Sequence, residues 1–300
     1  MKNNKTNKSL RNRNNWFDYL NILFMCLFCA LIIFPFWDML VRSLSTARGS
    51  VKLTFSLWPD DLNFESYHYV LQDSKTLKAY GITIARTVLG TLLSLLLQVM
   101  LAYPLAKKDL PLRNVITTIM LIPMFFGGGM IPSYILNRQL GFVNNFLVYI
   151  IPGAVSIYNV IMIRNFLMSL DKSLEESAII DGADYGTILF RIVIPLSKPI
   201  LATVALWEAV GHWNAWFDSL IYARDPDLFT MQLLLKRMLS TTQQMSQEMQ
   251  EFMQLEEMEN ITSNSVRMAT TMITILPIMC VYPFIQKYFV KGIMVGSLKG

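Results

Sequence analysis

The stretch Glu175-Glu176-Ser177-Ala178-Ile179-Ile180-Asp181-Gly182-Ala183-Asp184, continued by Ile192-Val193-Ile194-Pro195-Leu196, sets how the whole chain is read. Glu176 to Ile180 suits a short helix, with Leu174, Ala178 and Ile179 along an apolar side. Gly182 suits the end of that helix, where a residue in the left-handed region closes the last turn. Pro195 and Pro199 keep the chain from running on as one long helix. One or two short helices result, with an apolar side to bury and acids at the rim.

On both sides of this stretch the chain turns apolar. A helix needs about 20 mostly apolar residues to cross a bilayer. Six segments meet or approach that length: Tyr19–Val41, Tyr80–Ala106, Val115–Leu136, Asn145–Met168, Ile200–Tyr222 and Met268–Phe289. Hydrophobic residues make up 53% of the chain and charged residues only 16%, below the roughly 25% usual in soluble chains. The reading is an all-α membrane protein with one polytopic domain over 19–289. A tail of 1–18 precedes it, a tail of 290–300 follows it, and no soluble domain of useful size is left over. Gly127–Gly129 and Pro152-Gly153 are breaks that let helices bend around a cavity.

The net charge of +5 lies in the connections between spans, which argues against a nucleic-acid partner. Lys and Arg concentrate on the cytoplasmic side of membrane proteins. Lys2, Lys5, Lys8, Arg11 and Arg13 precede the first span with no acid before Asp18, so the N-terminus is expected inside. That span is too long for a signal-peptide core and has no small-residue cleavage pattern after it. Six spans return the C-terminus to the inside. The inner connections then hold Lys107, Lys108, Arg113, Arg164, Lys172, Arg191 and Lys198. The last outer segment instead carries Glu248, Glu251, Glu256, Glu257 and Glu259 with no basic residue. Cys26, Cys29 and Cys280 all lie in spans, where small packing residues are the better reading than a disulfide framework or a redox pair.

The opening stretch resembles the EAA loop of binding-protein-dependent ABC importer permeases. The family pattern is E-A-A, three residues, G, nine residues, I, one residue, L-P. Glu176, Ala178, Gly182, Ile192 and Pro195 match at that spacing, with Ser177 for the first Ala and Ile194 for the Leu. Phe125-Phe126-Gly127-Gly128-Gly129-Met130-Ile131-Pro132, Leu140-Gly141-Phe142-Val143-Asn144-Asn145 and Gly211-His212-Trp213-Asn214-Ala215-Trp216-Phe217-Asp218 resemble the carbohydrate branch of these permeases. The end of the chain, Lys291 to Gly300, is similar to the tail of maltose-type permeases of the second-subunit kind.

The resemblance implies the type I ABC importer transmembrane fold, with short cytoplasmic coupling helices in the loop 169–198. It implies that Glu176, Ser177, Ala178, Asp181, Gly182, Ala183 and Pro195 serve coupling to a separate ATPase, and that Gly296, Ser297 and Lys299 reach the ATPase interface. The implied partners are a second, homologous permease, an ABC ATPase dimer that binds ATP and Mg, an extracytoplasmic solute-binding protein and membrane lipid. The implied substrate is an oligosaccharide or a fragment of a polysaccharide. The implied location is a bacterial cell membrane, crossed several times, with both termini cytoplasmic. No G-x-x-x-x-G-K-[ST] occurs, so this chain holds no P-loop, and neither a cofactor nor an enzymatic step of its own is expected.

Ionisable groups inside a membrane are costly and usually face the bundle interior. Glu208 and His212 are four apart and share a helix face, either lining a substrate path or making an interhelical hydrogen bond. Asp218 lies nearer the outer end, where water can reach it. Trp213 and Trp216 flank Asn214, and aromatic faces with amides suit sugars, although Trp near a span end is also an interfacial anchor. Tyr134, Asn137, Tyr158 and Asn159 are further candidates. Nineteen Met residues read as apolar filler, and two His without clustered ligands give no metal site. Gln243–Glu259 reads as an outer amphipathic helix or a mobile loop. Two rivals remain, an ion-coupled secondary transporter, which leaves the loop 169–198 unexplained, and an ABC importer for a non-sugar solute.

Overall fold

The structure is a computed structural model that describes residues 16–46, 49–50, 56–59, 61–244 and 263–297; for 241–244, 263 and 282–297 only the backbone course is given. Twelve main helices follow in chain order among the described residues. They are α1 (Trp16–Ser43), α2 (Glu65–Gln72), α3 (Ser74–Ala106), α4 (Arg113–Phe125), α5 (Met130–Gln139), α6 (Ile157–Leu167), α7 (Ser173–Ile180), α8 (Tyr185–Leu196), α9 (Lys198–Asn214), α10 (Phe217–Tyr222), α11 (Met231–Gln244) and α12 (Ser263–Ser297). The one β pairing among them is an isolated bridge between Ser45 and Leu62.

Contacts divide the chain into two units, Met1–Tyr69 with Gln250–Met272, and Val70–Met249 with Ile273–Gly300. In the first, α1 is apolar from Ile22 to Trp37, and its large side chains from Trp16 to Phe34 stay exposed. Such a face suits lipid or another subunit. Polar contacts gather where α1 ends: Arg42 Nε donates to Asp38 at 2.8 Å, Ser43 Oγ pairs with Tyr67 Oη at 2.7 Å, and Trp37 Nε1 donates to the Leu57 carbonyl at 2.9 Å. Ser66 Oγ donates to Ser265 Oγ at 2.8 Å.

The second unit is organised by α3, whose start is capped by Asp73 accepting from the Thr76 amide at 3.0 Å. Its length packs along α9 and α6. One core cluster joins Val99 and Ala102 of α3, Val160 and Ile163 of α6, Ile188 and Val193 of α8, and Val204 of α9. The close approach of α3 to α9 rests on Gly90. A Cβ placed there would stand 2.5 Å from His212 Nε2.

Three of the six expected spans are single long apolar helices: α1, α3 and α12 over Asn264–Val281. Two more are broken. The expected span Val115–Leu136 is α4 and α5, bent by 112° across Phe126–Gly129, the glycine break foreseen in the sequence. The α8–α9 pair bends by 82° at Ser197. The expected helix Ile200–Tyr222 therefore begins earlier, at Lys198, and it stops at Asn214 before restarting as α10. Asn145–Met168 is corrected most. It is a 3-10 turn at Phe146–Tyr149, an irregular passage through Pro152 and Gly153, and the 11-residue α6. Asn145 accepts from the Leu147 amide at 3.0 Å and Ser156 caps α6, so polar side chains close each end of the gap.

The Gly90 contact predicts that Gly90→Val destabilises the protein by about 1–3 kcal/mol, because the neighbouring ring must move. Thermal denaturation of the purified protein in detergent reads this. In a His212→Ala background the same substitution should cost much less, and an equal cost in both backgrounds would refute the contact.

Candidate functional site

The loop 169–198 builds its shape from backbone bonds. Asp171 accepts from the Ser173 amide at 3.0 Å as α7 begins, and the bonds from Ser173 hold its carboxyl below the usual carboxylate range. Glu175 and Glu176 occupy the first turn, where carboxylates favour the positive end of a helix. Gly182 has φ +83°, open to glycine without strain. From there the Gly182 amide donates to Ile179 O at 3.0 Å and the Ala183 amide to Ala178 O at 2.9 Å. This is the full Schellman closure. Ala178 and Ala183 pack beneath it onto the core cluster.

Asp184 then caps α8, accepting from the Gly186 amide at 3.0 Å and Thr187 Oγ1 at 2.5 Å. Those bonds, the Thr187 hydroxyl first, keep Asp184 below its ordinary pKa. Within α8, Leu189–Val193 widens to a π-turn, and Ile194 N donates to Leu189 O. Pro195 brings no N–H to the carbonyl four residues before it, so the wider turn accommodates a chain that would otherwise break. The break itself falls at Ser197, between Pro195 and Pro199.

This loop offers large apolar side chains outward among polar ones. Leu174, Ile179, Ile180 and Tyr185 are exposed, Ile180 to 85%. Glu176, Ser177, Asp181 and Gly182 are exposed beside them, while Ala178 and Ala183 are half-buried. Glu175 pairs with Lys107, which follows α3, and Lys107 Nζ also stands 4.4 Å above the Tyr103 ring. A cleft of about 300 Å³ lies here, lined by Tyr103, Lys107, Lys172, Glu175 and Tyr185 among others.

The candidates on the apolar helices separate into those held by the fold and those left open. Glu208 Oε1 accepts from Gln98 Nε2 and from Asn159 Nδ2, each at 2.7 Å. His212, on the same face, lies over Gly90 with Nε2 buried and without a hydrogen-bond partner. Trp213 is buried, donates to the Thr274 carbonyl at 3.0 Å and meets Tyr80 edge-on. Asn137 is buried and donates to Tyr222 Oη at 3.0 Å, beside a parallel stack of Tyr134 on Tyr222. Tyr158 is 52% exposed near Trp207. Asn214 is exposed and accepts from Gln232 Nε2 at 3.4 Å, and Trp216 is half-buried with Lys236 Nζ 5.3 Å from its ring. Gly296 and Ser297 end α12, whereas Lys299 and most of Gln243–Glu259 lie outside the described residues.

Asp218 keeps a side chain 27% exposed, within reach of water as expected, and is also ion-paired. Arg86 of α3, 2% exposed, grips it with both arms, Nη1 to Oδ1 at 3.1 Å and Nη2 to Oδ2 at 2.5 Å. Arg86 Nη1 also donates to Ala215 O at 3.3 Å, at the break between α9 and α10. Its guanidinium carbon stands 4.7 Å from the Tyr149 ring, whose hydroxyl donates to Leu228 O at 2.7 Å. Arg86 and Gln98 were missed in the sequence. The signal was present, since Arg86 is the one charged residue of Tyr80–Ala106 and intramembrane charge marks a site.

Residues 90–295 match the family model described as binding-protein-dependent transport system inner membrane component. The chain is 36% identical over 287 residues to protein LplC of Bacillus subtilis (strain 168), covering 95% of each. It is 33% identical over 288 residues to the polygalacturonan/rhamnogalacturonan transport system permease protein YtcP of the same organism, covering 96% of this chain and all of that one. A chain in the crystal structure of a bacterial ABC transporter involved in the import of the acidic polysaccharide alginate superposes with a TM-score of 0.84 at 30% identity, over 94% of this chain and 100% of that one.

The polar knot around Glu208 gives a stability prediction. Glu208→Ala removes the acceptor shared by Asn159 and Gln98, leaving Gln98 Nε2 only its longer bond to Ala154 O at 3.4 Å, a loss of about 1–3 kcal/mol. Glu208→Gln keeps one acceptor oxygen and should lose less. Thermal denaturation of the two variants in detergent compares them, and equal stability would contradict the bonding described.

Proposed function

The chain belongs to the binding-protein-dependent transport system inner membrane components, and from that membership we propose that it forms half of the translocation pore of an ATP-driven importer of oligosaccharides. The observation that carries the reading is α7, a short helix whose Glu176 and closing Gly182 stand at the spacing of the EAA loop, with Leu174, Ile179 and Ile180 exposed. Exposed apolar side chains on a short helix can seat in a groove on a partner. That partner is an ATPase dimer, which binds ATP and Mg. A second, homologous permease completes the pore, and an extracytoplasmic binding protein delivers the solute. Both termini and the loop 169–198 lie on the cytoplasmic side of a bacterial cell membrane, as the distribution of Lys and Arg supports.

In this reading ATP binding closes the ATPase pair, α7 follows, and the pore alternates between inward-facing and outward-facing forms by rigid-body motion. Glu176 and Asp181 make the polar contacts at the rim of the groove, while Gly182, Ala183 and Pro195 hold the loop's course. The oligosaccharide class rests on YtcP and on the alginate importer, both similar along nearly the whole chain. The substrate path is served by the candidates that the fold leaves open, Tyr158, Asn214, Trp216 and Tyr134. Glu208, His212, Trp213, Asn137, Asn159 and Asp218 instead hold the helices that shape it.

The test is the ATPase activity of the co-expressed complex with and without loaded binding protein. Gly182→Pro and Glu176→Lys should each reduce stimulation by loaded binding protein about tenfold, an ordinary size for a coupling effect. Substituted loops that respond as the intact one does, or solute movement with no ATPase bound, would overturn the reading in favour of an ion-driven carrier.

A further inference from the structure

Two charge pairs sit at separate places along α3. Lys107, one residue past the end of α3, pairs with Glu175 of α7. Arg86 pairs with Asp218 of α10. The two basic residues are 21 positions apart, roughly 30 Å at about 1.5 Å per helical residue. Between them Gln98 of α3 donates to Glu208 of α9 at 2.7 Å. One continuous helix thus holds the surface loop at one end and the break in the α9–α10 helix at the other.

The Arg86 end is built to transmit position. The break leaves the Ala215 carbonyl without a helical donor, and Arg86 Nη1 and Thr230 Oγ1 fill that role at 3.3 and 3.5 Å. The same guanidinium fixes Asp218 by two parallel bonds, and a planar fork sets orientation as well as distance. A guanidinium with 2% exposure cannot release its carboxylate cheaply, because an unpaired buried charge is strongly unfavourable. Displacement of α3 therefore carries the first turn of α10 with it. The segment after α10 is tied to α3 as well, through the Met231 amide donating to Thr83 Oγ1 at 2.9 Å.

We propose that α3 is the transmission element between the loop 169–198 and the α9–α10 break, with Lys107–Glu175 and Arg86–Asp218 as its two charged linkages. Arg86 and Lys107 are positioning residues in this scheme, acting through the helices they hold. The inference rests on the transport reading above and adds the route by which the loop's motion reaches the far part of the pore.

The experiment uses the complete complex in proteoliposomes and measures ATP hydrolysed and solute taken up in the same vesicles. Arg86→Lys keeps the charge but loses the fork, and Lys107→Gln removes the other linkage. Each should lower the solute moved per ATP about tenfold while basal hydrolysis persists. Two linkages in series fail together, so the double variant should lose no more than the worse single one. Exchange of the pair, Lys107→Glu with Glu175→Lys, should restore the ratio. Thermal stability of each complex in detergent separates misfolding from uncoupling. Unchanged solute per ATP in the single variants, losses that multiply in the double variant, or losses that follow only the amount of folded complex would each overturn the proposal. An unsubstituted complex with no ATP-driven uptake would overturn the transport reading itself, and this inference with it.

Discussion

Every break in an apolar helix exposes backbone carbonyls and amides that a bilayer cannot satisfy. That constraint accounts for where the polar side chains of the second unit lie. At Ala215 the loose carbonyl is met by Arg86 and Thr230. After Tyr222, Asn144 accepts from the Arg224 and Asp225 amides at 3.0 and 2.8 Å, and its own amide donates to Tyr222 O. Before α6, Ser156 caps the helix, and after α7 the chain caps itself through Gly182. Polar groups that look in sequence like the lining of a pore are, in several places, the groups that allow the helices to be broken.

The sequence disclosed the local features and hid the pairings. Gly182 and the two prolines announce their roles through chemistry that acts within a few residues, so the end of α7 and the break before α9 were legible, while the caps of Asp171 and Asp184 were not. The glycines at 127–129 announced the bend between α4 and α5 in the same way. Within Asn145–Met168 the break at Pro152-Gly153 was legible, but apolar content outweighed the capping signals of Asn145 and Ser156, which set where the turn and α6 begin. Asp218 hid its ion pair for another reason. Its partner Arg86 is 132 residues away, and no periodicity within either helix reveals which faces meet. The same holds for Glu208, whose shared face with His212 was legible while the donors Gln98 and Asn159 were not.

Two kinds of order coexist in the molecule. Around α3 the packing is dense and polar contacts interlock, with Gly90 bringing α9 near enough for Gln98 to reach Glu208. Along α1, α4 and much of α5 the apolar side chains stay uncovered, as expected of surfaces that complete themselves against lipid or neighbouring subunits. Dense packing around α3 and uncovered apolar helices elsewhere suit a membrane component of a binding-protein-dependent transport system.

The closure at Gly182 has an evolutionary consequence. The course of the loop is written in backbone bonds and in the cap at Asp184, and neither depends on Leu174, Ile179 or Ile180. Those exposed side chains are free to drift without loss of shape, while position 182 stays confined to glycine. Substitution at those three positions can therefore change what the loop presents while its outline is kept.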